Sequence, residues 1–167
     1  MIAIIAEKPS VGLDIARVVG ADTRNDGYCS GNGYMVTWAL GHLVSLAMPD
    51  TYGYTKTAAE DLPMLPEPFR LVSRQVRTDR GMVTDIAASK QLKVIESVFN
   101  RCDSIIVATD AGREGELIFR WIYDFLGCTK PFRRLWISSL TDEAIRKGLE
   151  ELKDGSEYDS LYTCLLY

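Results

Sequence analysis

The stretch that decides the fold is "SIIVATDAGREGELIFRWIY", residues 104–123. It opens with an apolar run of the length typical of a buried β-strand. An apolar pattern with helical spacing closes it, and the glycines between the two allow the backbone to turn sharply. Charged residues crowd the junction between the predicted strand and the predicted helix, where the chain carries Asp110, Arg113, Glu114 and Glu116.

A second apolar run of strand length lies at the start of the chain and also ends in charged residues. Residues 2–6 read IAIIA, and Glu7 and Lys8 follow directly. Ligand sites of open α/β sheets lie beyond the carboxyl ends of the strands. If the two strands are neighbours, Glu7 and Asp110 therefore face one cleft.

Crowded carboxylates point to a bound cation. They repel each other and are stable together only when one is protonated or a cation lies between them. No histidine or cysteine lies beside these acids in the sequence, and oxygen ligands alone favour Mg²⁺ or Mn²⁺ over zinc. The alternative is that acids in the first turn of a helix serve only as caps, since the helix dipole favours anions there.

The rest of the chain alternates predicted strands and helices, which indicates an α/β fold with a mainly parallel central sheet flanked by helices. A helix is expected to begin at Pro9 and to end at Gly20, and Asn32-Gly33 is a hairpin signal. Proline-rich residues 48–69 predict an irregular segment. The remaining predicted elements are strands at 34–40, within 69–76 and at 132–137, and helices at 87–102, 115–127 and 141–155.

One domain is expected over residues 1–155, because 167 residues suffice for a single hydrophobic core. Residues 156–167 read as the start of another amphipathic helix, which we predict to belong to a following domain outside this chain. No apolar run approaches the roughly 18 residues of a membrane span. The N-terminus lacks the basic start of a signal peptide, so we expect a cytoplasmic location.

Charge and cysteine content argue against two classes of site. The formal net charge is −4, whereas a domain that held DNA by its own charge would be basic. The cysteines lie far apart and, with a single histidine in the chain, show no zinc-site spacing; they are Cys29, Cys102, Cys128 and Cys164.

Four segments occur in order between residues 2 and 145: IIAEKPS, WALGHLVSL, ATDAGREGELIFR and RRLWISSLTDEAI. Together they resemble the N-terminal Toprim domain of type IA DNA topoisomerases, and within that family the bacterial topoisomerase III branch. The resemblance implies a Rossmann-like Toprim fold. It also implies an enzyme that cuts one DNA strand, passes another through the gap and reseals it, with Mg²⁺ and without ATP. The DNA partner would be bound at a single-stranded region, mostly by domains outside this chain, and we expect a monomer.

The resemblance assigns roles to three charged residues. The family's first-strand glutamate matches Glu7, which would act as general acid or base at the 3′-oxygen that leaves and returns. The neighbouring lysine matches Lys8 and would stabilise charge on the scissile phosphate. Arg113 matches the family's arginine and would pair with the acids or contact a phosphate. Phosphoryl transfer needs such proton transfer and cationic stabilisation.

The family's acidic motif, Asp-x-Asp-x-Glu, is incomplete in this chain. Asp110 matches the first acid and Glu114 the third, but Gly112 stands in place of the middle acid. We therefore expect one Mg²⁺, replaceable by Mn²⁺, held by Glu7, Asp110 and Glu114, with Glu116 as an alternative ligand. The missing acid leaves the number of metal ions open.

Two further motifs carry two interpretations each. His42 lies in a GHL segment that resembles one near the strand-passage cleft of the family, although a lone histidine is more often structural. Ser138, Ser139 and Thr141 resemble another family segment, and capping of the following helix explains Thr141 equally well.

Other functions stay open at this point. A Toprim-type Mg²⁺-dependent nuclease or primase would share the acids, whereas a nucleotide-binding α/β domain would carry a glycine-rich phosphate loop that this chain lacks. None of the eight tyrosines has the context of the family's nucleophile, so this chain alone is not expected to cleave DNA.

Overall fold

The structure, a computed structural model, describes residues 1–54, 59–79 and 81–164. Eleven strands and five α-helices are formed within these ranges. In chain order they are β1 Ile2–Ala6, α1 Pro9–Val19, β2 Thr23–Asn25, β3 Tyr28–Gly31, β4 Tyr34–Trp38, β5 Val44–Leu46, β6 Leu71–Ser73, β7 Gln75–Thr78, β8 Gly81–Thr84, α2 Ile86–Arg101, β9 Ser104–Ala108, α3 Arg113–Phe125, β10 Phe132–Arg134, α4 Asp142–Glu150, β11 Lys153–Asp154 and α5 Asp159–Thr163.

The central sheet has seven strands in the order β11-β10-β9-β1-β4-β3-β2. Its four inner strands, from β10 to β4, are parallel, and antiparallel strands extend it on both sides. This arrangement confirms the predicted α/β class. In the pairing of β1 with β9, Ala6 lies opposite Ala108. The residues that follow these two strands therefore emerge at the same edge of the sheet.

Both faces of the sheet are covered, which explains why its inner strands are apolar throughout. Ile5 points to one face and packs with Ile95 and Phe119 of α2 and α3. Ile4 points to the other face and packs with Ile15 of α1. The sheet thus separates two hydrophobic cores.

Several predicted boundaries are confirmed. Gly20 ends α1 with a left-handed φ of 75°. Asn32 and Gly33, with φ of 47° and 81°, form the turn between β3 and β4, as the primed hairpin turns require. The Thr141 side chain caps α4 by accepting a hydrogen bond from the backbone N–H of Ala144.

The predicted helix at 141–155 and strand at 132–137 are both shorter than expected. The helix ends at Glu150, and Lys153–Asp154 instead pairs with β10 as an edge strand. The Asp154 side chain accepts a hydrogen bond from the Ser156 backbone and starts a separate 3₁₀ turn over Gly155–Tyr158. Such side-chain caps compete with helix continuation.

The predicted irregular segment and the predicted final helix are each only partly within the described ranges. The irregular segment 48–69 contains short 3₁₀ helices at Pro49–Tyr52 and Ala59–Asp61, and its residues 55–58 lie outside the described ranges. The predicted final helix is present as α5, while residues 165–167 lie outside the described ranges. Among the helices described, none combines the length and the apolar character needed to cross a membrane.

Candidate active site

The candidate site lies at the carboxyl edge of the parallel strands β1 and β9. Glu7 directly follows β1, and Asp110 lies just beyond the end of β9. The backbone N–H of Asp110 donates a hydrogen bond of 3.1 Å to Oε2 of Glu7. Glu7 is half-buried and Asp110 is exposed. The expectation that these two strand ends are neighbours is therefore confirmed.

These two carboxylates fit a hard divalent cation that keeps most of its water. Within residues 1–54, 59–79 and 81–164, the Asp110 carboxylate has no hydrogen-bond or ion-pair partner, and no three His, Cys, Asp or Glu side chains are grouped to hold a metal ion. Mg²⁺ is typically bound through one or two carboxylates, with waters and substrate phosphates as its other ligands. Carboxylate oxygens of this kind are ligands that hard divalent cations prefer.

Glu114, predicted as a further metal ligand, is paired with a histidine in the structure. Its Oε1 contacts Nε2 of His42, which lies in the loop after β4. The His42 ring also packs edge-on against Trp121, with 5.8 Å between ring centroids. Because β4 and β9 flank β1, this pair connects the loop after β4 with the start of α3, on either side of Glu7. The Glu114 side chain is 70% exposed, so a cation can still approach it.

Lys8 and Arg113 supply positive charge beside the acids. Lys8 immediately precedes α1, and Arg113 is the first residue of α3. Both are exposed, and neither forms a salt bridge with any residue that the structure describes. Their side chains are therefore available to contact a phosphate, and the roles predicted for them stay predictions.

Comparison with known proteins identifies the family of this chain. A model of the Toprim domain matches residues 2–140, a range that contains Glu7, Asp110 and Glu114. The chain belongs to the Toprim domain family. The Toprim domains of topoisomerases bind a divalent metal ion, which agrees with the oxygen donors at the ends of β1 and β9.

Three similar proteins share the name DNA topoisomerase 3. The Toprim domain described here is 48% identical over 164 residues to DNA topoisomerase 3 of Shouchella clausii. It is 52% identical over 164 residues to DNA topoisomerase 3 of Bacillus anthracis, and 47% identical over 163 residues to that of Bacillus subtilis. These alignments cover 95–96% of this chain and 21% of each relative. The chain thus spans about a fifth of the length of the curated relatives it matches.

A solved structure supports the fold independently. Full-length topoisomerase I from Thermotoga maritima superposes with a TM-score of 0.54 and 18% sequence identity. The match covers 91% of this Toprim domain and 21% of that chain. At this identity the likeness concerns the fold alone.

Glu116 was predicted as an alternative metal ligand, and its position in the Toprim domain corrects that prediction. Glu116 is fully buried. Its Oε1 accepts a 2.8 Å hydrogen bond from Arg120, and its Oε2 accepts a 2.9 Å hydrogen bond from Arg134. Since both oxygens are held by guanidinium groups in the interior, Glu116 is an internal ion-pair partner and does not face the edge where Asp110 lies.

The turn that carries Asp110 is packed tightly against the start of α3. The Thr109 hydroxyl donates a 2.7 Å hydrogen bond to the carbonyl oxygen of Gly115. A Cβ added at Gly115 would lie 2.1 Å from the carbonyl oxygen of Asp110. Glycine is therefore required at 115 by close backbone approach, and the turn has little room to shift.

Two arginines that the sequence interpretation left without a role hold the loops of this edge. Arg74 donates to the carbonyl oxygens of Leu40 and His42, at 3.0 Å each, and Arg134 holds the loop of Asp110. The sequence did contain an indication of the ion pair of Arg134. This arginine occupies a core position of a predicted strand, and a buried charge requires a partner. The matching signal was Glu116, an acid on the buried face of α3.

The segment after β10 differs in part from its interpretation. Trp136 is 39% exposed and stacks on Tyr158 with 4.6 Å between ring centroids. Ser138 and Ser139 are exposed near the same edge of the sheet, whereas Thr141 caps α4. Capping therefore accounts for Thr141, and the Ser139 hydroxyl accepts a 3.4 Å hydrogen bond from the backbone N–H of Thr141.

Proposed function

We propose that this Toprim domain is the metal-binding catalytic part of a type IA DNA topoisomerase of the topoisomerase III kind. Such an enzyme relaxes or decatenates DNA by single-strand cleavage, strand passage and religation. The observation that carries the proposal is the contact between Glu7 and the Asp110 backbone at the ends of two adjacent parallel strands. The similarity to proteins named DNA topoisomerase 3 supports it.

Each charged residue at this site has its own role in phosphoryl transfer. Glu7 moves a proton to and from the 3′-oxygen that leaves and returns, and Lys8 and Arg113 stabilise the negative charge of the scissile phosphate. Asp110 and Glu7, with Glu114 as a further ligand, would hold Mg²⁺ or Mn²⁺. When bound, the ion supplies positive charge beside the phosphate and helps to orient it.

The remaining parts of the reaction are proposed to lie elsewhere in the protein. We assign residues 1–155 to the Toprim domain and residues 156–167 to the start of the next domain. The nucleophilic tyrosine and most of the surface that binds single-stranded DNA would be contributed by further domains. This division is consistent with the net charge of −4. We also propose a monomeric, cytoplasmic enzyme.

A substitution that removes the charge of Glu7 and keeps its shape, made in the full-length protein, tests the proposal. We expect Glu7→Gln to lower Mg²⁺-dependent relaxation of negatively supercoiled plasmid by about 100-fold or more, since general acid–base catalysis contributes about that much. Affinity for single-stranded DNA should stay unchanged. The matched control is Glu96→Gln, which alters an exposed glutamate on α2 and should relax plasmid at the normal rate.

The same assay separates the competing functions. A topoisomerase yields closed circles of altered linking number, whereas a nuclease yields nicked or linear products. Relaxation by Glu7→Gln at the rate of the unaltered protein would contradict the role of Glu7. Accumulation of nicked circles that are never resealed, by the unaltered protein, would favour the nuclease alternative.

A further inference from the structure

Arg134 is a fully buried arginine that contacts the Asp110 turn rather than the solvent. Its Nη1 donates to the carbonyl oxygens of Val107, at 3.0 Å, and Thr109, at 2.8 Å. Its Nη2 donates to the carbonyl oxygen of Asp110 at 2.9 Å. Three hydrogen bonds of one guanidinium thus follow the backbone from the end of β9 to the candidate metal ligand.

Two of these bonds reach backbone that has left the sheet, at Thr109 and Asp110, whereas Val107 lies within β9 and its carbonyl oxygen also accepts a 2.9 Å hydrogen bond from the backbone N–H of Leu135. Carbonyl groups beyond the end of a strand lose the regular partners that the ladder provides, and a buried carbonyl without a donor is costly. The rigid, planar fork of arginine can satisfy several such groups at fixed geometry, which the single ammonium of lysine cannot do. Arg134 therefore determines the path of the chain at residues 107–110.

The positive charge of Arg134 is balanced by the carboxylate of Glu116 in α3. Its Nε donates to Oε2 of Glu116 at 2.9 Å, and the other Glu116 oxygen is held by Arg120. Arg120 in turn donates to Oδ1 of Asp159 in α5 at 2.6 Å and to the carbonyl oxygen of Gly155 at 3.0 Å. This chain of ion pairs fixes the guanidinium of Arg134 between the sheet and α3.

We propose that Arg134 is a positioning residue that holds Asp110, through its backbone, at the distance from Glu7 needed to share a divalent cation. This inference rests on the proposed function, because it assumes that Asp110 is a metal ligand. Arg134 itself contacts neither the cation nor the substrate. Its role is distinct from general support of the core, and the two can be separated experimentally.

The test uses the full-length protein and measures Mn²⁺ affinity by the loss of the free-ion electron paramagnetic resonance signal. Arg134→Lys keeps the charge facing Glu116 and should fold, but it cannot make all the bonds to the turn. We expect its Mn²⁺ affinity to fall by about tenfold, within the range seen when residues behind metal ligands are altered. The matched control is Arg133→Met, which removes the exposed neighbour on the same strand.

A second variant separates positioning from stability. Replacing both members of a buried ion pair by apolar residues avoids an unpaired buried charge, so Arg134→Met combined with Glu116→Met should stay folded at the assay temperature, with a lower midpoint of thermal unfolding because the carbonyl groups of Thr109 and Asp110 lose a donor. It lacks the donors to the turn, and we expect its Mn²⁺ affinity to stay low. Mn²⁺ affinity equal to that of the unaltered protein in this double variant, or in Arg134→Lys, would overturn the proposal.

Asp110→Asn distinguishes this inference from the proposed function. If Asp110→Asn lowers Mn²⁺ affinity and the Arg134 variants do not, the positioning role is wrong while the metal site stands. If Asp110→Asn itself leaves Mn²⁺ affinity unchanged, the assignment of Asp110 as a ligand is wrong, and both proposals fail. Reduced Mn²⁺ affinity in Asp110→Asn and in both Arg134 variants, with normal affinity in Arg133→Met, supports both.

Discussion

At the scale of single residues, Gly112 is the point where the acidic motif of this chain is incomplete. Its φ of 177° is extended backbone that any residue can adopt. A Cβ built at Gly112 would meet no atom within 4 Å. Neither conformation nor space therefore requires glycine here. The residue leaves the site with fewer carboxylates, which fits an ion held largely by water and phosphate.

Gly112→Asp should therefore fold and bind a divalent cation more tightly. The new carboxylate would lie in the same turn as Asp110, and cation affinity rises with the number of charged ligands. We expect Mn²⁺ affinity, measured by electron paramagnetic resonance, to rise by about tenfold. Thermal stability should be unchanged or slightly raised, since aspartate is a good residue at the N-cap position that Gly112 occupies. Unchanged affinity would show that position 112 does not face the cation.

Gly115→Ala should have the opposite effect, although it adds only one methyl group. Its Cβ would lie 2.1 Å from the carbonyl oxygen of Asp110, so the turn must move away from α3. We expect both Mn²⁺ affinity and the midpoint of thermal unfolding to fall. Gly33→Ala is not a suitable comparison because Gly33 has a positive φ, whereas Gly112→Ala meets no atom and serves as the control. Equal behaviour of the two alanine variants would contradict the close approach at Gly115.

At the scale of elements, the start of α2 is tied to the loop that carries His42. Asp85 caps α2 by accepting hydrogen bonds from the backbone N–H groups of Ala87 and Ala88. Its Oδ2 also accepts hydrogen bonds from Arg74, the nearer at 2.7 Å. Because Arg74 also donates to the His42 carbonyl, one carboxylate orders a helix start and a loop of the candidate site together.

The contribution of Asp85 to stability should depend on pH. Hydrogen bonds from Arg74, and then from the backbone, hold the pKa of Asp85 below its usual value. A carboxyl group with a lowered pKa in the folded state stabilises the fold above its unfolded pKa of about 3.8, and this contribution disappears as pH falls through the folded pKa. The stability lost in Asp85→Asn should therefore be greatest near neutral pH and should shrink below about pH 4.

Urea unfolding of this chain and of Asp85→Asn at a series of pH values measures that difference directly. Asp22→Asn, which alters an exposed aspartate, provides the control substitution. A difference between Asp85→Asn and the unaltered chain that stays constant from pH 7 to pH 3 would contradict the ion pair with Arg74.

At the scale of the whole molecule, the sequence predicted the sheet better than the site. Two apolar runs of strand length that both end in acids predicted that Glu7 and Asp110 share an edge, and parallel pairing of β1 with β9 confirms it. Periodicity reports which residues are buried, and strand ends in α/β folds have only one edge at which to present ligands. This part of the site could therefore be predicted from local sequence patterns.

The pairing of Glu116 with Arg134 could not be predicted in the same way. An acid in the first turn of a helix has one sequence pattern, whether it binds a metal, caps the helix or pairs with a buried arginine. Its partner Arg134 is 18 positions away, on β10, and only the packing of α3 against the sheet brings them together. The end of α4 was missed for a similar reason, because Lys153 and Asp154 become a strand only by pairing with β10.

The two cores separated by the sheet should respond independently to mutation. Ile15 on α1 and Ile95 on α2 are both fully buried, one in each core. Ile15→Ala and Ile95→Ala should each lower the free energy of unfolding of this chain by about 2–5 kcal/mol, through lost burial and the cavity left behind. Because the sheet lies between them and they share no core neighbours, the double variant should lose the sum within about 0.5 kcal/mol. Urea unfolding of the four proteins gives this comparison, and a double variant far from additive would show that the cores act as one unit.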